Sequence, residues 1–336
     1  MVRTFLFLRL TAFKMRGINV CMYSLCCISN ELKPTYSFKT MTWKRFNDLG
    51  ANDVALKELS ARWLNNVKVT HRIIQHCADN GWNYRVSSAL FPILTHPDFS
   101  FGFHNAPDHQ QILSEFRAIQ DARYPVRLSC HPDQFNVLAS RNEFSLAKTK
   151  NELERHGWMM DLLGCERSYQ NPINIHVNCS DGEPWEIADR FAANLATLSD
   201  SVRSRLVVEN EDKGIWNVER LVKYFYNRHG IPITYDNLHD KCNPSDAGIY
   251  DCVATWDKYK PLFHYSESHP DKSNPRSHAD MPTDFPTHYI SASETQSYDV
   301  DWEVELKSKD LAVRELERIQ PALPADCISR LKKNFQ

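Results

Sequence analysis

An α/β chain closed into a (β/α)8 TIM barrel, as a single domain, is the fold this sequence predicts, and three observations carry the prediction. Eight short apolar, strand-like runs recur, near residues 23, 83, 126, 173, 205, 231, 261 and 299. Most are separated by a segment of helical periodicity, and near-continuous apolar strands alternating with helices argue a parallel sheet. The length of 336 residues fits eight such units, with no break in composition to mark a second domain. A doubly wound open sheet is the alternative that the same alternation allows.

Taken in order, YSLCCIS (23–29) is the first strand-like run. A polar, Lys-rich loop leads to Leu59, Trp63, Val67, Ile74 and Cys77, which recur at helical spacing and stop near Gly81, a C-cap signal. WNYRVSS (82–88) reads as a strand, 110–120 as a helix, and 126–130 as a strand that ends at His131-Pro132. A long helical segment over 143–163 precedes the strand 173–178, which carries His176. Helix-like 185–198 and the strand 205–210, with Glu209, follow. A helix over 218–228 leads to IPITYDNLHD, whose strand 231–235 breaks into a turn holding Asp236 and His239. After a helix-like run over 249–259 come the strand 261–268 with His264, a Pro/Ser/His-rich loop, and a last strand that turns into a Lys-rich helix.

Composition narrows the function. At 42% hydrophobic and 24% charged the chain is an ordinary globular one. A formal net charge of −2 and a pI near 6.7 argue against a simple electrostatic binder of nucleic acid. They argue less strongly against a metal-dependent one, because bound divalent cations supply positive charge that the sequence does not count. The ten cysteines form no Cys-x-x-Cys pair, and Cys26, Cys27, Cys130 and Cys179 in apolar runs read as buried thiols of a reducing compartment. Residues 1–22 are apolar with Arg and Lys interspersed, and lack the uninterrupted span of about 20 apolar residues that crosses a bilayer. They read as an extension, either a weak targeting segment or sequence upstream of a start at Met15 or Met22. The barrel is assigned to 23–320 and a C-terminal tail to 321–336. A cytoplasmic monomer without membrane contact is expected.

The chemistry lies at the strand ends. His131 closes the third strand, His176 and Glu209 come late in the fourth and fifth, and Asp236 closes the sixth. His264 comes late in the seventh and Glu305 ends the eighth, with His239 and His278 in the loops beyond. In a (β/α)8 barrel these ends converge on one mouth. Three carboxylates and five imidazoles there call for cations among them, and two or three divalent ions would satisfy them, with Glu209 or Asp236 bridging. Any single strand-end His is more often a hydrogen-bonded core residue, and Asp236 could simply cap a turn. Asp301, Glu303 and Glu305 share one strand face, so period two does not choose among them. His71, His76, His104, His109, His156, His229, His269 and His288 lack the repeated position and read as surface or structural.

Together, NYRVSSALFP, SCHPDQF, INIHVN, VVENED, TYDNLHD, FHYSES and VELKSKDLA resemble the UV damage endonuclease family, a branch of the endonuclease IV-like metal-dependent barrels, from about Tyr23 to Val313. The resemblance implies metal ligands at His131, His176, Glu209, Asp236, His239, His264, His278 and Glu305. It selects Glu305 over Glu303 through the Glu-x-Lys-x-Lys pattern, and places catalysis on Glu209, Asp236, His264 and Glu305. It implies UV-damaged double-stranded DNA as partner and a nick immediately 5′ to cyclobutane pyrimidine dimers or 6-4 photoproducts, leaving 3′-hydroxyl and 5′-phosphate. The implied cofactor is two or three divalent ions, Mn2+ first, with Zn2+, Mg2+ or Co2+ as alternatives. Gln134 and Phe135 stand where the family has a Gln-Tyr wedge that fills the gap left by damaged bases. Phe135 keeps the stacking face and loses the hydroxyl, and it has a second reading as a core residue under the loop.

Two positions depart from the family. Leu262 stands where a lysine close to the metals is usual, with Lys260 two residues earlier, and Ser24 and Leu25 stand where a DNA-contacting Gly-Tyr pair is usual. Other functions remain in view. An abasic-site endonuclease shares most ligands, a xylose-isomerase-like sugar isomerase needs fewer imidazoles, and a damage-sensing barrel would bind without cutting.

Overall fold

The computed structural model describes residues 22–284, 286 and 300–319. Eight strands form one sheet: β1 (Tyr23–Cys26), β2 (Asn83–Val86), β3 (Leu128–Cys130), β4 (Ile173–Ile175), β5 (Leu206–Glu209), β6 (Ile233–Thr234), β7 (Leu262–Tyr265) and β8 (Asp301–Val304). Their order is β6-β5-β4-β3-β2-β1-β8-β7, and each neighbouring pair is parallel. The ends of that order meet through one parallel bridge between Asp236 and His264, with the His264 amide donating to the Tyr235 carbonyl at 2.8 Å. The ring is therefore closed by the same two residues that the sequence places at the mouth. The open doubly wound alternative is ruled out.

The helices wrap this ring: α1 (Asp53–Asn80), α2 (His109–Ala122), α3 (Glu143–Leu162), α4 (Pro184–Ala196), the short α5 (Asn237–Cys242) and α6 (Asp310–Ile319). Helix α1 starts where the Asn52 side chain accepts from the Val54 and Ala55 amides, and stops at Gly81, whose φ of +76° is the left-handed C-cap expected there. Leu59, Trp63, Val67, Ile74 and Cys77 all face the core. Strands are shorter than the apolar runs that announce them, so His176 and Glu305 lie one residue beyond β4 and β8. The helix expected over 218–228 is interrupted by a π turn at Val222–Tyr226, and that expected over 249–259 shrinks to Ile249–Val253 plus a 3-10 turn. Cys26 and Cys130 are buried as expected, whereas Cys27 and Cys179 are half-buried. Among the described residues no helix is long and apolar enough to cross a membrane. Except for Met22, the extension over 1–22 lies outside the described residues, as does the tail over 321–336.

Candidate metal centre

Glu209 is the hub. It ends β5, is buried, and its carboxylate accepts from the Asn174 amide of β4. Oε2 lies 3.2 Å from His131 Nε2 and 3.8 Å from His176 Nε2; Oε1 lies 3.1 Å from His239 Nδ1 and 3.2 Å from His264 Nδ1. Asp236 caps α5 as the sequence allows, Oδ1 accepting from the His239 amide at 2.7 Å, and this leaves Oδ2 for another partner. The capping reading of Asp236 is met, and it does not use up the carboxylate.

Three groups of donor atoms converge: His131, His176 and Glu209; then Glu209, Asp236 and His239; then Asp236, His264 and Glu305. Neighbouring groups share Glu209 and Asp236. His278 belongs to none of the three. Its Nδ1 instead lies 2.8 Å from the Glu305 carbonyl and 3.9 Å from Glu305 Oε2, at the edge of the third group. The donor set fits divalent cations on two counts. Carboxylate oxygen and imidazole nitrogen suit Mn, Zn or Fe. In addition, His176 Nδ1, His264 Nδ1 and Asp236 Oδ2 are buried without a hydrogen-bond partner, a costly state that a cation would relieve.

The remaining imidazole nitrogens are tied down. His131 Nδ1 donates to the Pro132 carbonyl at 2.8 Å, His239 Nδ1 to the Asn210 carbonyl at 2.9 Å, and His278 Nδ1 to the Glu305 carbonyl. Each bond directs the Nδ1 proton to a backbone carbonyl and leaves Nε2 as the nitrogen to face a cation, the usual setting of a metal-binding histidine; His131 Nε2 faces Glu209. His264 is tied the other way round, through Nε2, which lies 3.0 Å from Glu303 Oε2.

The charges gathered at the centre pull against one another. Burial works to raise the Glu209 carboxyl, and the charges of His264 and His176 with the hydrogen bonds of His131 and His239 override it, holding it well below the usual carboxylate range. Burial also works to raise Glu305, which Arg85 and His264 hold well below that range. Asp236 is raised, by burial first and then by Glu209 and Glu305 against the pull of His239. Burial drives His176 down to about 4, whereas Asp236 and Glu209 overcome burial and push His239 up to about 10. Protons on imidazole thus balance the carboxylates here, and a cation would displace them.

The structure separates Asp301, Glu303 and Glu305 by depth. Asp301 lies at the lower end with Arg127 (3.1 Å) and Lys260 (2.7 Å). Glu303 is in the middle, accepting from Ser129 and lying 3.2 Å from Arg85. Glu305 is at the mouth, paired with the same Arg85 and 3.3 Å from His264 Nδ1. Arg85 is not among the sequence candidates, and Glu303 is there only as the alternative to Glu305. The available signal was an arginine inside the short apolar run NYRV, in phase with an inward face. Leu262 pairs in register with Asp301, one layer below His264, and Lys260 ends on Asp301 instead of in the centre. Ser24 and Leu25 are buried in β1 and offer solvent nothing.

The loop after β3 carries Gln134 and Phe135, both exposed, Phe135 to 75% of its surface. The core reading of Phe135 is therefore discarded. The turn is closed on itself by Phe135 and Asn136 donors to Asp133, and from outside by Asn178, whose side-chain amide donates to the Gln134 carbonyl at 2.6 Å. Asn178 adopts φ +52°, a left-handed conformation that asparagine tolerates. Burial raises the neighbouring Glu211 to about 7, and that carboxylate accepts from the Asn178 amide at 2.7 Å.

Of the histidines read as surface or structural, His71 contacts Glu115 and Tyr124, and His229 contacts Asp189; His288 lies outside the described residues. In a further acid–imidazole group, Glu31, His76 and Asp310, both carboxylates are taken up by other partners. Arg314 grips both Glu31 oxygens, and Asp310 accepts from Ser29 and the Asn30 and Glu31 amides.

Fold and side chains together define a (β/α)8 barrel whose mouth gathers overlapping carboxylate–imidazole donor sets for divalent cations. Residues 20–333 match the family described as UV-endonuclease UvdE, and the chain belongs to that family. It is 30% identical over 289 residues to a UV DNA damage endonuclease of Bacillus velezensis, covering 83% of this chain and 87% of the relative. It is 29% identical over 312 residues to one from Deinococcus radiodurans, covering 88% and 95%. The crystal structure of SacUVDE superposes with a TM-score of 0.73 at 24% identity, over 89% of this chain and 97% of that one. Endonuclease IV from Thermus thermophilus gives 0.50 at 16% identity, over 74% and 91%, a likeness of fold.

Proposed function

We propose that this protein is a DNA-repair endonuclease that nicks duplex DNA immediately 5′ to UV photoproducts, leaving 3′-hydroxyl and 5′-phosphate ends. The observation that carries the reading is the chain of three donor groups linked through Glu209 and Asp236, at the mouth of a barrel of this family. On this reading His131, His176, Glu209, Asp236, His239, His264 and Glu305 hold two or three divalent ions, with His278 joining from the edge and Mn2+ the first candidate. Bound there, such ions supply Lewis acidity and charge neutralisation for in-line displacement at phosphorus. Glu209, Asp236, His264 and Glu305 are the proposed catalytic set, fixing where the scissile phosphodiester sits.

Two features favour a duplex over a small sugar. Gln134 and Phe135 project freely beside the mouth, placed to fill the space that a distorted base pair leaves. Extruding damaged bases costs less than extruding paired ones, so the lesion itself contributes selectivity. Apolar exposure is also gathered on this side. Among the described residues Val54, Phe144, Trp185, Tyr250 and Leu311 are each exposed and each second in a helix, while Phe135 and Met281 lie on loops that follow strands. In a barrel all of these positions border the mouth.

The test is nicking of supercoiled plasmid, untreated, UV-irradiated or depurinated, with Mn2+ or with chelator. Metal-dependent cutting confined chiefly to the irradiated plasmid is expected. Preference for the depurinated plasmid would move the protein to abasic-site chemistry, and no cutting of any would leave a sensor.

A further inference from the structure

At the mouth His131, His239 and His278 are tied through Nδ1 to backbone carbonyls, and His264 is tied through Nε2 to a carboxylate that lies outside the three donor groups. That carboxylate, Glu303, is buried in the middle of the barrel. One oxygen accepts from the Ser129 hydroxyl of β3; the other faces Arg85 of β2 at 3.2 Å and His264 Nε2 of β7 at 3.0 Å. Donors from three strands thus hold Glu303. His264 is itself buried, and its Nδ1 lies 3.2 Å from Glu209 Oε1 and 3.3 Å from Glu305 Oε1, hydrogen-bonded to neither. Arg85 meanwhile reaches past Glu303 to Glu305.

We infer that Glu303 is a positioning residue that makes His264 a donor through Nδ1. By accepting the Nε2 proton it leaves the Nδ1 lone pair directed at the third donor group, while Arg85 sets the Glu305 carboxylate opposite. The inference rests on the proposed metal-binding role of the mouth, not on the DNA substrate. It distinguishes Glu303 from Glu305, which sequence period cannot do. Glu305 lends its oxygen to the group, and Glu303 never reaches it. A carboxylate that orients a ligating histidine typically contributes 10- to 100-fold to metal affinity.

The experiment is metal affinity of the full-length, metal-free protein, measured for Mn2+ and Zn2+ by competition with a chelating dye, alongside thermal unfolding of the same samples. Glu303→Gln keeps an oxygen able to accept from Nε2 and loses the charge; Glu303→Asp keeps the charge and withdraws it from reach. If orientation is the role, one site loses affinity roughly 10- to 100-fold in Glu303→Asp and less in Glu303→Gln. Equal affinity in wild type and both variants overturns the inference, as does a loss of melting temperature without loss of affinity. Should the Glu303 variants not fold, His264→Asn, whose amide mimics Nδ1, is expected to retain the third ion better than His264→Gln, which mimics Nε2; the reverse order overturns it. A wild type that binds no divalent ion removes the metal centre and this inference together, whereas wild-type binding with unaffected variants removes the inference alone.

Discussion

The two ends of the barrel interior both bury acids, and they do so on opposite terms. At the lower end Asp301 is fully answered by the protein: Oδ1 faces Lys260 at 2.7 Å and the Met22 amide at 3.1 Å, Oδ2 faces Arg127 at 3.1 Å and Asn83 at 3.2 Å. At the mouth Glu209, Asp236 and Glu305 face imidazoles that must borrow protons to answer them, and Asp236 Oδ2, His176 Nδ1 and His264 Nδ1 go unanswered. A buried charge is expensive unless paired, so an unanswered set persists where something outside the chain completes it. Buried acids alone say little about function. What separates a structural plug from a site is whether the chain supplies its own cations.

The sharpest way to break this contrast is Glu209→Ala. The residue joins two of the three donor groups, so nicking of irradiated plasmid is expected to fall by at least about 10³-fold, roughly 4 kcal/mol of barrier. Divalent metal should stabilise the wild type against heat, by about 2.7 kcal/mol at a hundredfold excess over the dissociation constant, and should do so much less in the variant. Full activity, or an undiminished metal-dependent shift in melting temperature, would end the assignment of Glu209.

At the lower end the expectation inverts. Asp301→Ala leaves the buried Arg127 guanidinium without its carboxylate, and breaking such a pair costs about 3–5 kcal/mol of stability, read by denaturant unfolding. The metal-dependent rise in melting temperature should survive, because no donor group includes Asp301. Loss of that rise with stability intact would show that the two ends are not separate.

Much of this was legible in the sequence. Alternating apolar runs carried the eight-stranded ring, and strand-end spacing carried the donors, because a parallel barrel delivers every C-terminal strand end to one face. The choice among Asp301, Glu303 and Glu305 was not legible from period two, since depth along a strand face depends on which neighbours reach across. Arg127 and Lys260 claim the first, Ser129 and His264 Nε2 the second. Nor could the sequence show that Leu262 lies a layer beneath the centre, or that Asn178 would hold the Gln134 carbonyl from the next loop. Both follow from register between strands far apart in the chain. The sequence also left Phe135 divided between core and surface, because a single aromatic in a loop has no periodicity to consult.

Phe135 gives the smallest effect, and the one that bears most on substrate. At 75% exposure its ring contributes little to the fold, so Phe135→Ala should change stability by no more than about 0.5 kcal/mol. If the ring stacks in the space that damaged bases leave, removing it forfeits about 1–3 kcal/mol of binding per base. That loss should fall on damaged DNA and spare undamaged DNA, narrowing the ratio of cutting between irradiated and untreated plasmid by about tenfold. Metal affinity should not move, because Phe135 belongs to none of the donor groups. An unchanged ratio would remove the wedge while leaving the centre intact; a changed ratio with weakened metal binding would mean that the loop acts through His131, and that mouth and rim are one site.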